Sequence, residues 1–307
     1  MPAFTVQKSI RIDKEPNAVF GLVRDLKKWA LWSPWTIAEP DCKLTYSEDG
    51  LSYDWDGQVI GAGQLKITND DAPHSVNYDL SFLKPWKSFA TVQFDLKPVA
   101  GGTEAVWTMN SSLPFFMFWM KKMMVAMIGM DFDRGLKMLK VVAEEGAVPV
   151  RLEFVGPTTQ AACDYIGVTT ETSLDKIGEA MRADFGKLKQ WICEQDAKPT
   201  GAPFSTTHRF DMVNRIAQYT VAYPLAEKPS TVPAGFVTGE RPATPTYAIK
   251  HTGPYESLAN AWAAGMMRVQ SKVIRQNKKL DCFEVYENNP DETPANERIT
   301  TVHFPTK

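Results

Sequence analysis

The chain has 307 residues, of which 44% are hydrophobic and 23% are charged, and its formal net charge is −2. This length suits two domains of ordinary size, and the composition is that of a globular protein with material for two cores. The small net charge gives no strong field toward nucleic acid or an anionic membrane, so no nucleic-acid partner is expected.

The N-terminal segment and the cysteines indicate the cellular compartment. The segment MPAFTVQKSIRIDKEP contains no apolar stretch of the kind that a secretory signal requires. The four cysteines are far apart in sequence and form no C-x-x-C pair, which is typical of reduced thiols in a cytoplasmic protein. The four histidines are equally scattered, and no phosphate-binding glycine loop occurs. We therefore expect neither a metal site nor a cofactor.

The first half predicts a strand, a helix, a series of short strands and a long helix. FTVQKSIRID alternates apolar and polar residues, as a strand does, and EPNAVFGLVRDLKKWALW predicts a helix with Pro16 near its start. A sheet in this order can curl around the last helix and leave space between them. Five alternating segments bounded by turn residues predict its antiparallel strands: LSYDWDG, GQLKITND, HSVNYDLSF, SFATVQFDLKP and GTEAVWTMNSS.

The long helix falls in LPFFMFWMKKMMVAMIGMDFDRGLKMLK (113–140), which holds seven of the thirteen methionines. Lys121 and Lys122 interrupt the apolar run, so neither part reaches the ~20 residues that a membrane span needs. Steps of three and four residues predict instead an amphipathic helix that ends near Gly146. Its predicted apolar stripe consists of Phe116, Trp119, Met120, Met123, Met127 and Met130.

Two roles are open for this stripe and for the tryptophans. The stripe is either ordinary core or one wall of a ligand cavity, because methionine adapts to irregular volumes. Met120 and Met127 are the candidate cavity residues. Trp35, in the cluster WALWSPW, and Trp55, on a predicted strand, are likewise either packed core or the rim of an apolar pocket.

Several segments of the first half, taken in order, resemble the START-like superfamily (SRPBCC, polyketide cyclase-like) over residues 1–147. The resemblance implies a helix-grip fold, in which a sheet wraps around the C-terminal helix and encloses a deep apolar cavity. Members bind lipids, polyketides and other apolar molecules, and some catalyse cyclisation or hydrolysis, so function does not follow from this fold. The segments are SIRID (9–13), PNAVF (16–20), WALWSPW (29–35), WDG (55–57) with GAG (61–63), and DFDRGLKMLK (131–140).

The second domain is predicted to span residues 150–307, after a boundary near residue 147. The segment AEEGAVPVRLEFVGP (143–157), with small residues, two prolines and two glycines, contains this predicted boundary. Two segments beyond it, 158–192 and 243–274, each predict a strand and an amphipathic helix, and two further strands follow each helix. This repetition predicts a duplicated strand–helix–strand–strand domain of the α+β class, with a groove between its helices.

Glu284 is the main candidate site residue. Alternation in CFEVYE places Cys282, Glu284 and Tyr286 on one face of a strand. A carboxylate in that position is solvated, paired with an arginine or lysine, or available to a ligand.

Three segments of this half resemble the GyrI-like small-molecule-binding domain, which is also the effector-binding domain of AraC- and MerR-type regulators. They are HTGPYESL (251–258), CFEVYENNPDETP (282–294) and ITTVHFP (299–305). The resemblance implies that Glu284 lies at the bottom of a groove that receives cationic, aromatic-rich ligands. Nearby rings would add cation–π attraction; the candidates are Tyr219, Tyr255, Trp262 and Tyr286, with Tyr165 at a related place in the first repeat.

These observations favour a sensor with two ligand-binding modules and no DNA-binding domain of its own. The first module would take a small hydrophobic molecule and the second a cationic aromatic or amphipathic one. The alternative is a hydrolase of small electrophilic or xenobiotic compounds, in which Glu284 is the general base and Tyr255 or Tyr219 orients or protonates the reacting group. A third possibility is a structural protein whose two interiors are filled by side chains.

Overall fold

The computed structural model describes residues 3–84, 86–229 and 231–307. The chain divides into two compact units, Met1–Val148 and Pro149–Lys307. Both units are of the α+β class, with one large antiparallel sheet and few helices. Within the described ranges, no helix is both long enough and apolar enough to span a membrane.

The first unit contains a seven-stranded sheet in the order β1-β7-β6-β5-β4-β3-β2. Helix α1 (Pro16–Arg24) and helix α2 (Lys121–Glu145) pack against it. Gly146 ends α2 in the left-handed conformation, as the sequence predicts. The strands are β1 (Ala3–Ile12), β2 (Lys43–Tyr46), β3 (Ser52–Asp56), β4 (Ala62–Asp71), β5 (Ser75–Lys84), β6 (Ser88–Val99) and β7 (Gly102–Ser112).

An aromatic stack forms the centre of this unit. Trp107 on β7 is fully buried and stacks on Phe132 of α2 with 3.9 Å between ring centroids. Phe94 of β6 stacks on the other side of Trp107 at 5.0 Å, and Trp29 and Trp32 meet it edge-on. The WALWSPW cluster therefore contributes two of its three tryptophans to packed core.

Helix α1 is shorter than the sequence predicts. It ends at Arg24, and a 3-10 helix, Leu26–Leu31, follows it. Asp25 has an extended backbone, and its carboxylate accepts a hydrogen bond from the Lys27 amide at 3.0 Å. A short acidic side chain that bonds the backbone in this way competes with helix propagation.

The methionine-rich segment also begins differently from its prediction. Residues Phe115–Met120 form a 3-10 helix, and α2 begins only at Lys121. Apolar residues occupy two neighbouring faces of this segment, so their spacing alone does not fix which face is buried. The predicted stripe is wrong at Phe116, Trp119 and Met123, whose side chains are exposed. The residues that pack against the core are instead Met117, Met124, Val125 and Ile128, followed by Phe132, Leu136 and Leu139.

The second unit contains an eight-stranded sheet in the order β12-β9-β11-β10-β14-β15-β13-β8. Helix α3 (Ile177–Glu194) packs against β9 and β11, and helix α4 (Ala259–Gln270) packs against β13 and β15. The strands are β8 (Arg151–Gln160), β9 (Cys163–Ser173), β10 (Phe204–Asp211), β11 (Ile216–Leu225), β12 (Val237–Arg241), β13 (Thr244–Thr252), β14 (Cys282–Tyr286) and β15 (Ile299–Pro305).

Strand β8 begins within the segment that contains the predicted domain boundary. Its residues pair with β13 from Arg151 to Gln160, so the second half of that segment is the edge of a sheet. Gly156 borders a register shift in this pairing, opposite Ala248, and Pro157 is the next residue. An edge strand tolerates such residues because one of its sides needs no partner.

Both helices cover the same face of this sheet. Val221, Ser205, Glu284 and Val302 lie directly opposite one another across four adjacent strands, so their side chains point to one side. Val221 packs in a core cluster with Leu188 of α3. Glu284 bonds to a side chain of α4. The middle strands β10 and β14 thus form the floor beneath two helices.

Candidate functional site

Glu284 lies on this floor and is only 6% exposed. The Trp262 indole of α4 donates a hydrogen bond to Oε2 at 2.6 Å, and the Tyr286 hydroxyl donates one to Oε1 at 2.5 Å. Both donors are neutral, and among the described residues no cation offsets the charge of this carboxylate. Of the three environments open to Glu284 from the sequence, the structure excludes full solvation and pairing with a described arginine or lysine.

Burial changes the ionisation of the site. Loss of solvent raises the pKa of the Glu284 carboxyl, and the hydrogen bonds from Tyr286 and Trp262 oppose that rise without cancelling it. Burial also raises the pKa of the Tyr286 hydroxyl well above its ordinary value, and the neighbouring Glu284 carboxylate adds to that rise. The tyrosine therefore stays protonated and continues to donate to Glu284.

Aromatic rings surround the carboxylate. Tyr286 meets Phe185 of α3 edge-on at 5.3 Å and Tyr255 at 5.7 Å between centroids. Phe185 also meets Tyr223 of β11 edge-on at 6.2 Å. Tyr255 in turn has the Arg298 guanidinium over its ring at 5.1 Å. We call Glu284, Trp262, Tyr286, Tyr255 and Phe185 the Glu284 cluster.

The remaining predicted tyrosines lie elsewhere. Tyr219 is on the helix-covered face, but its hydroxyl donates to Asp184 of α3 at 3.0 Å, and Thr170 also bonds to this carboxylate, at 2.7 Å. Tyr165 is on the opposite face, because its neighbour Ile166 packs in the core cluster beneath α3. It packs edge-on against Phe204 at 5.5 Å. The structure thus brings together Trp262, Tyr255 and Tyr286 with Glu284, but not Tyr165.

Phe185 and Asp184 are site neighbours that the sequence reasoning did not select. Both lie in α3, where Met181, Phe185 and Leu188 recur at helical spacing. Asp184 is an acidic residue beside that stripe, and it is buried. A buried acid next to an apolar stripe was the available signal, because such a side chain needs polar partners from the sheet.

In the first unit the candidate residues have separate environments. Trp55 is buried and packs edge-on against Phe82 at 5.9 Å, as a core residue does. Trp35 is partly buried and contacts Trp107 edge-on at 6.0 Å. Met120 and Met127 are partly buried but are not among the side chains that pack on the described core cluster.

Asp131 is a largely buried carboxylate of α2 that interacts with Trp35. It forms an ion pair with Arg134 at 2.5 Å, one helical turn away on α2. Burial raises the pKa of the Asp131 carboxyl, and Arg134 and Trp35 oppose that rise.

Two surface depressions of about 370 and 480 Å³ occur in the first unit. The smaller lies between α1 and the β2–β3 turn, and the larger lies over β5, β6 and β7. None of the candidate ligand residues lines either of them: Glu284, Tyr219, Tyr255, Trp262, Tyr286, Tyr165, Trp35, Trp55, Met120 or Met127.

Helix α4 sits close to the sheet because of Gly265. A Cβ atom at this position would lie 2.1 Å from two ring atoms of Phe304 on β15. Trp262, one turn earlier on α4, packs edge-on against the same ring at 5.7 Å. The close approach at Gly265 therefore fixes the distance between α4 and the sheet. That distance in turn positions the Trp262 indole to donate to Glu284.

Gly265→Ala is expected to destabilise the second unit by about 1–3 kcal/mol, because the added methyl group overpacks against Phe304. Gly186→Ala in α3 is the matched control, since a Cβ there meets no atom within 4 Å. The control should gain about 0.5–1 kcal/mol from helix propensity. Urea denaturation of both variants measures this difference, and equal stabilities would contradict the close approach of α4.

Each half of the chain matches a known protein family. Residues 3–144 match the family described as polyketide cyclase / dehydrase and lipid transport, and residues 158–307 match the GyrI-like small molecule binding domain. These matches define the class: it is a small-molecule-binding protein of two domains. More specifically, the chain joins a polyketide cyclase-like domain to a GyrI-like domain, which confirms both resemblances. No curated protein matches the chain significantly.

Solved structures resemble the chain in fold alone. EcmrR in its complex with DNA is 14% identical, with a TM-score of 0.45, over 61% of this chain and 65% of that one. The chain therefore spans less than two thirds of the length of that structure. The EcmrR C-terminal domain is 16% identical over 52% of this chain and 98% of that one, with a TM-score of 0.40. Aha1 from Colwellia psychrerythraea is 18% identical over 47% of this chain and 98% of that one, with a TM-score of 0.36.

Proposed function

We propose that the second unit binds an organic cation with aromatic groups at the Glu284 cluster. The observation that supports this most is the ionisable carboxylate of Glu284, which is buried beneath both helices and bonded only to neutral donors. A buried charge without a counter-charge is costly, and a bound cation would remove that cost. The rings of Tyr286, Tyr255 and Phe185 would add cation–π and apolar contacts to such a ligand.

Hydrolysis is the alternative, because a carboxyl group with a raised pKa suits a general base. Both Glu284 oxygens, however, already accept hydrogen bonds from Trp262 and Tyr286. Tyr255 contacts Tyr286 through its ring edge. This arrangement favours binding over catalysis.

The affinity for an organic cation is expected to fall as the pH is lowered through the raised pKa of Glu284. A cation favours the ionised carboxylate, so at lower pH binding must first remove a proton. Isothermal titration of the full chain with tetraphenylphosphonium and with the uncharged triphenylphosphine oxide measures this. The cation should bind more tightly, and only its affinity should depend on pH. Equal affinities would reject the proposal, and turnover of an aryl ester that follows the same pKa would favour the hydrolase.

For the first unit we propose an apolar ligand held between the sheet and α2, as in a helix-grip fold. The match of residues 3–144 to a family that includes lipid transport proteins supports this. Packing of α2 against β1 and β7, at one edge of the seven-stranded sheet, agrees with it. Trp35, Met120 and Met127, all partly buried, are the proposed contacts, whereas the burial of Trp55 favours a core role.

For the second unit we propose a duplicated origin. The order β9-β11-β10 on one side of the sheet mirrors β13-β15-β14 on the other, and each half contributes one helix. Across the described residues, strands separate every pair of α-helices, so we propose that these units sense ligands and do not contact DNA themselves. The four cysteines are free, which supports a reducing, cytoplasmic compartment.

A further inference from the structure

An exposed aromatic surface lies at one end of the first sheet. Pairing of Phe82 with Ser88 and of Ala90 with Ser111 brings the β5–β6 turn and the end of β7 to the same edge. The 3-10 helix Phe115–Met120 follows β7 there. We call the exposed apolar side chains of these segments the aromatic end surface; they are Leu83, Trp86, Phe89, Phe115, Phe116, Phe118, Trp119 and Met123.

These side chains are exposed to an extent that is unusual for their size. The exposed fractions are 75% for Phe116, 68% for Trp119 and 71% for Phe89. The rings of Phe115 and Phe118 lie 6.3 Å apart, so neighbouring members contact each other instead of the core. A clustered apolar surface of this kind marks a place of interaction, whereas single exposed apolar residues do not.

The same end is positively charged. Lys84 and Lys87 lie beside Trp86, and Lys121 and Lys122 follow Trp119 directly. No aspartate or glutamate occurs at 84–94 or at 105–130. Asp56 pairs with Lys84 at 3.0 Å, while the described ion pairs include none for the other three lysines. The net charge of −2 for the whole chain therefore conceals a local positive excess.

We infer that the aromatic end surface docks on an anionic phospholipid bilayer. Phenylalanine and tryptophan favour the boundary between headgroups and acyl chains, and lysine extends its ammonium to the phosphates. An apolar protein partner would match the rings alone, whereas an anionic bilayer matches both the rings and the lysines. The docking is at the membrane surface, in keeping with the lack of a spanning helix in the described ranges. It does not depend on the Glu284 cluster.

Flotation of the full chain with vesicles tests this inference. The protein is expected to float with vesicles of phosphatidylcholine and phosphatidylglycerol, to float weakly with phosphatidylcholine alone, and to be released by salt. The double variant Phe116→Ser/Trp119→Ser should bind at least about tenfold more weakly, because it removes two exposed rings. The double variant Lys121→Glu/Lys122→Glu should lose binding by a similar factor and only to anionic vesicles.

Two matched controls lie away from this surface. Lys27→Glu/Lys28→Glu reverses another exposed lysine pair, next to Arg24, which binds Asp70 at the opposite end of the sheet. Phe210→Ser/Val213→Ser removes exposed apolar side chains of the second unit. Both controls should float like the unmodified chain. The inference is overturned if the unmodified chain does not float, if the Phe116/Trp119 variant floats equally well, or if that variant instead dissociates a dimer that ignores vesicles.

Discussion

Glu284→Gln is expected to bind an organic cation about 100-fold more weakly while making the folded protein more stable. The loss, roughly 3 kcal/mol of binding free energy, reflects removal of one partner of a desolvated charge pair. Glutamine has nearly the same shape, and its carbonyl can accept from Trp262 while its amide donates to the Tyr286 hydroxyl. The cluster therefore keeps its packing and one hydrogen bond to each neighbour, although the Tyr286 hydroxyl changes from donor to acceptor, and the loss of binding reports mainly on charge.

The gain in stability follows from the direction of the pKa shift. The pKa of Glu284 is raised by burial above its ordinary value of 4.5. The folded state therefore holds this proton at a pH where the unfolded state has released it, and the free energy of unfolding falls as the pH rises through that interval. Glu284→Gln lacks this fall and should therefore be more stable than the unmodified chain at neutral pH.

Calorimetric titration and urea denaturation over a range of pH measure the two effects. Glu240→Gln is the matched control, because Glu240 is an exposed residue of the edge strand β12 and the change removes the same charge. It should alter neither binding nor stability measurably. A Glu284→Gln variant that keeps its affinity for the cation would exclude Glu284 as the counter-charge.

Trp107→Ala is expected to destabilise the first unit by about 3–5 kcal/mol, the range for removal of a fully buried large aromatic side chain. Trp107 stacks on Phe132 and on Phe94, and three further tryptophans contact its edges. Its loss would open a cavity between the sheet and α2 that these rings cannot close. Scanning calorimetry of the full chain should show one shifted transition, while that of the second unit stays in place.

Trp107→Phe separates ring stacking from the indole N–H. That N–H is buried and has no hydrogen-bond partner among the described atoms, so its removal should cost nothing in hydrogen bonding. The phenylalanine variant should therefore lose clearly less stability than the alanine variant. Similar losses for both variants would mean that the stack does not depend on ring contacts.

The fold was largely accessible from the sequence because most of its elements have strong periodicity. Alternation located β1 and β3–β7. The strands that were missed, β2, β8 and β12, are short, lie at sheet edges, or contain proline and glycine. β8 and β12 also pair with strands that are distant in sequence, and a local pattern does not contain such pairing. In the methionine segment two neighbouring helix faces are apolar, so spacing alone does not fix which of them is buried.

The sequence predicted the site residues of strand β14, but it did not predict how the two helices contribute to the site. Alternation in CFEVYE placed Glu284 and Tyr286 on one face, and the GyrI-like resemblance selected Trp262 and Tyr255. The hydrogen bond from Trp262 to Glu284 depends on the distance of α4 from the sheet, and therefore on the close approach of Gly265 to Phe304. Tyr165 was selected only for its related place in the first repeat. Its side chain lies on the face of the sheet opposite to Glu284, so the repeat alone did not predict its environment.

The mirrored strand order of the second unit has a consequence for how its selectivity can change. The floor carboxylate belongs to β14, while the Phe185 wall comes from α3 and the Trp262 wall from α4. These helices lie in separate stretches of sequence, so a substitution in one can change one side of the Glu284 cluster without disturbing the other side or the acidic group. If the cluster binds a cation as proposed, descendants of such a scaffold could change from one cation to another while Glu284 continues to supply the counter-charge.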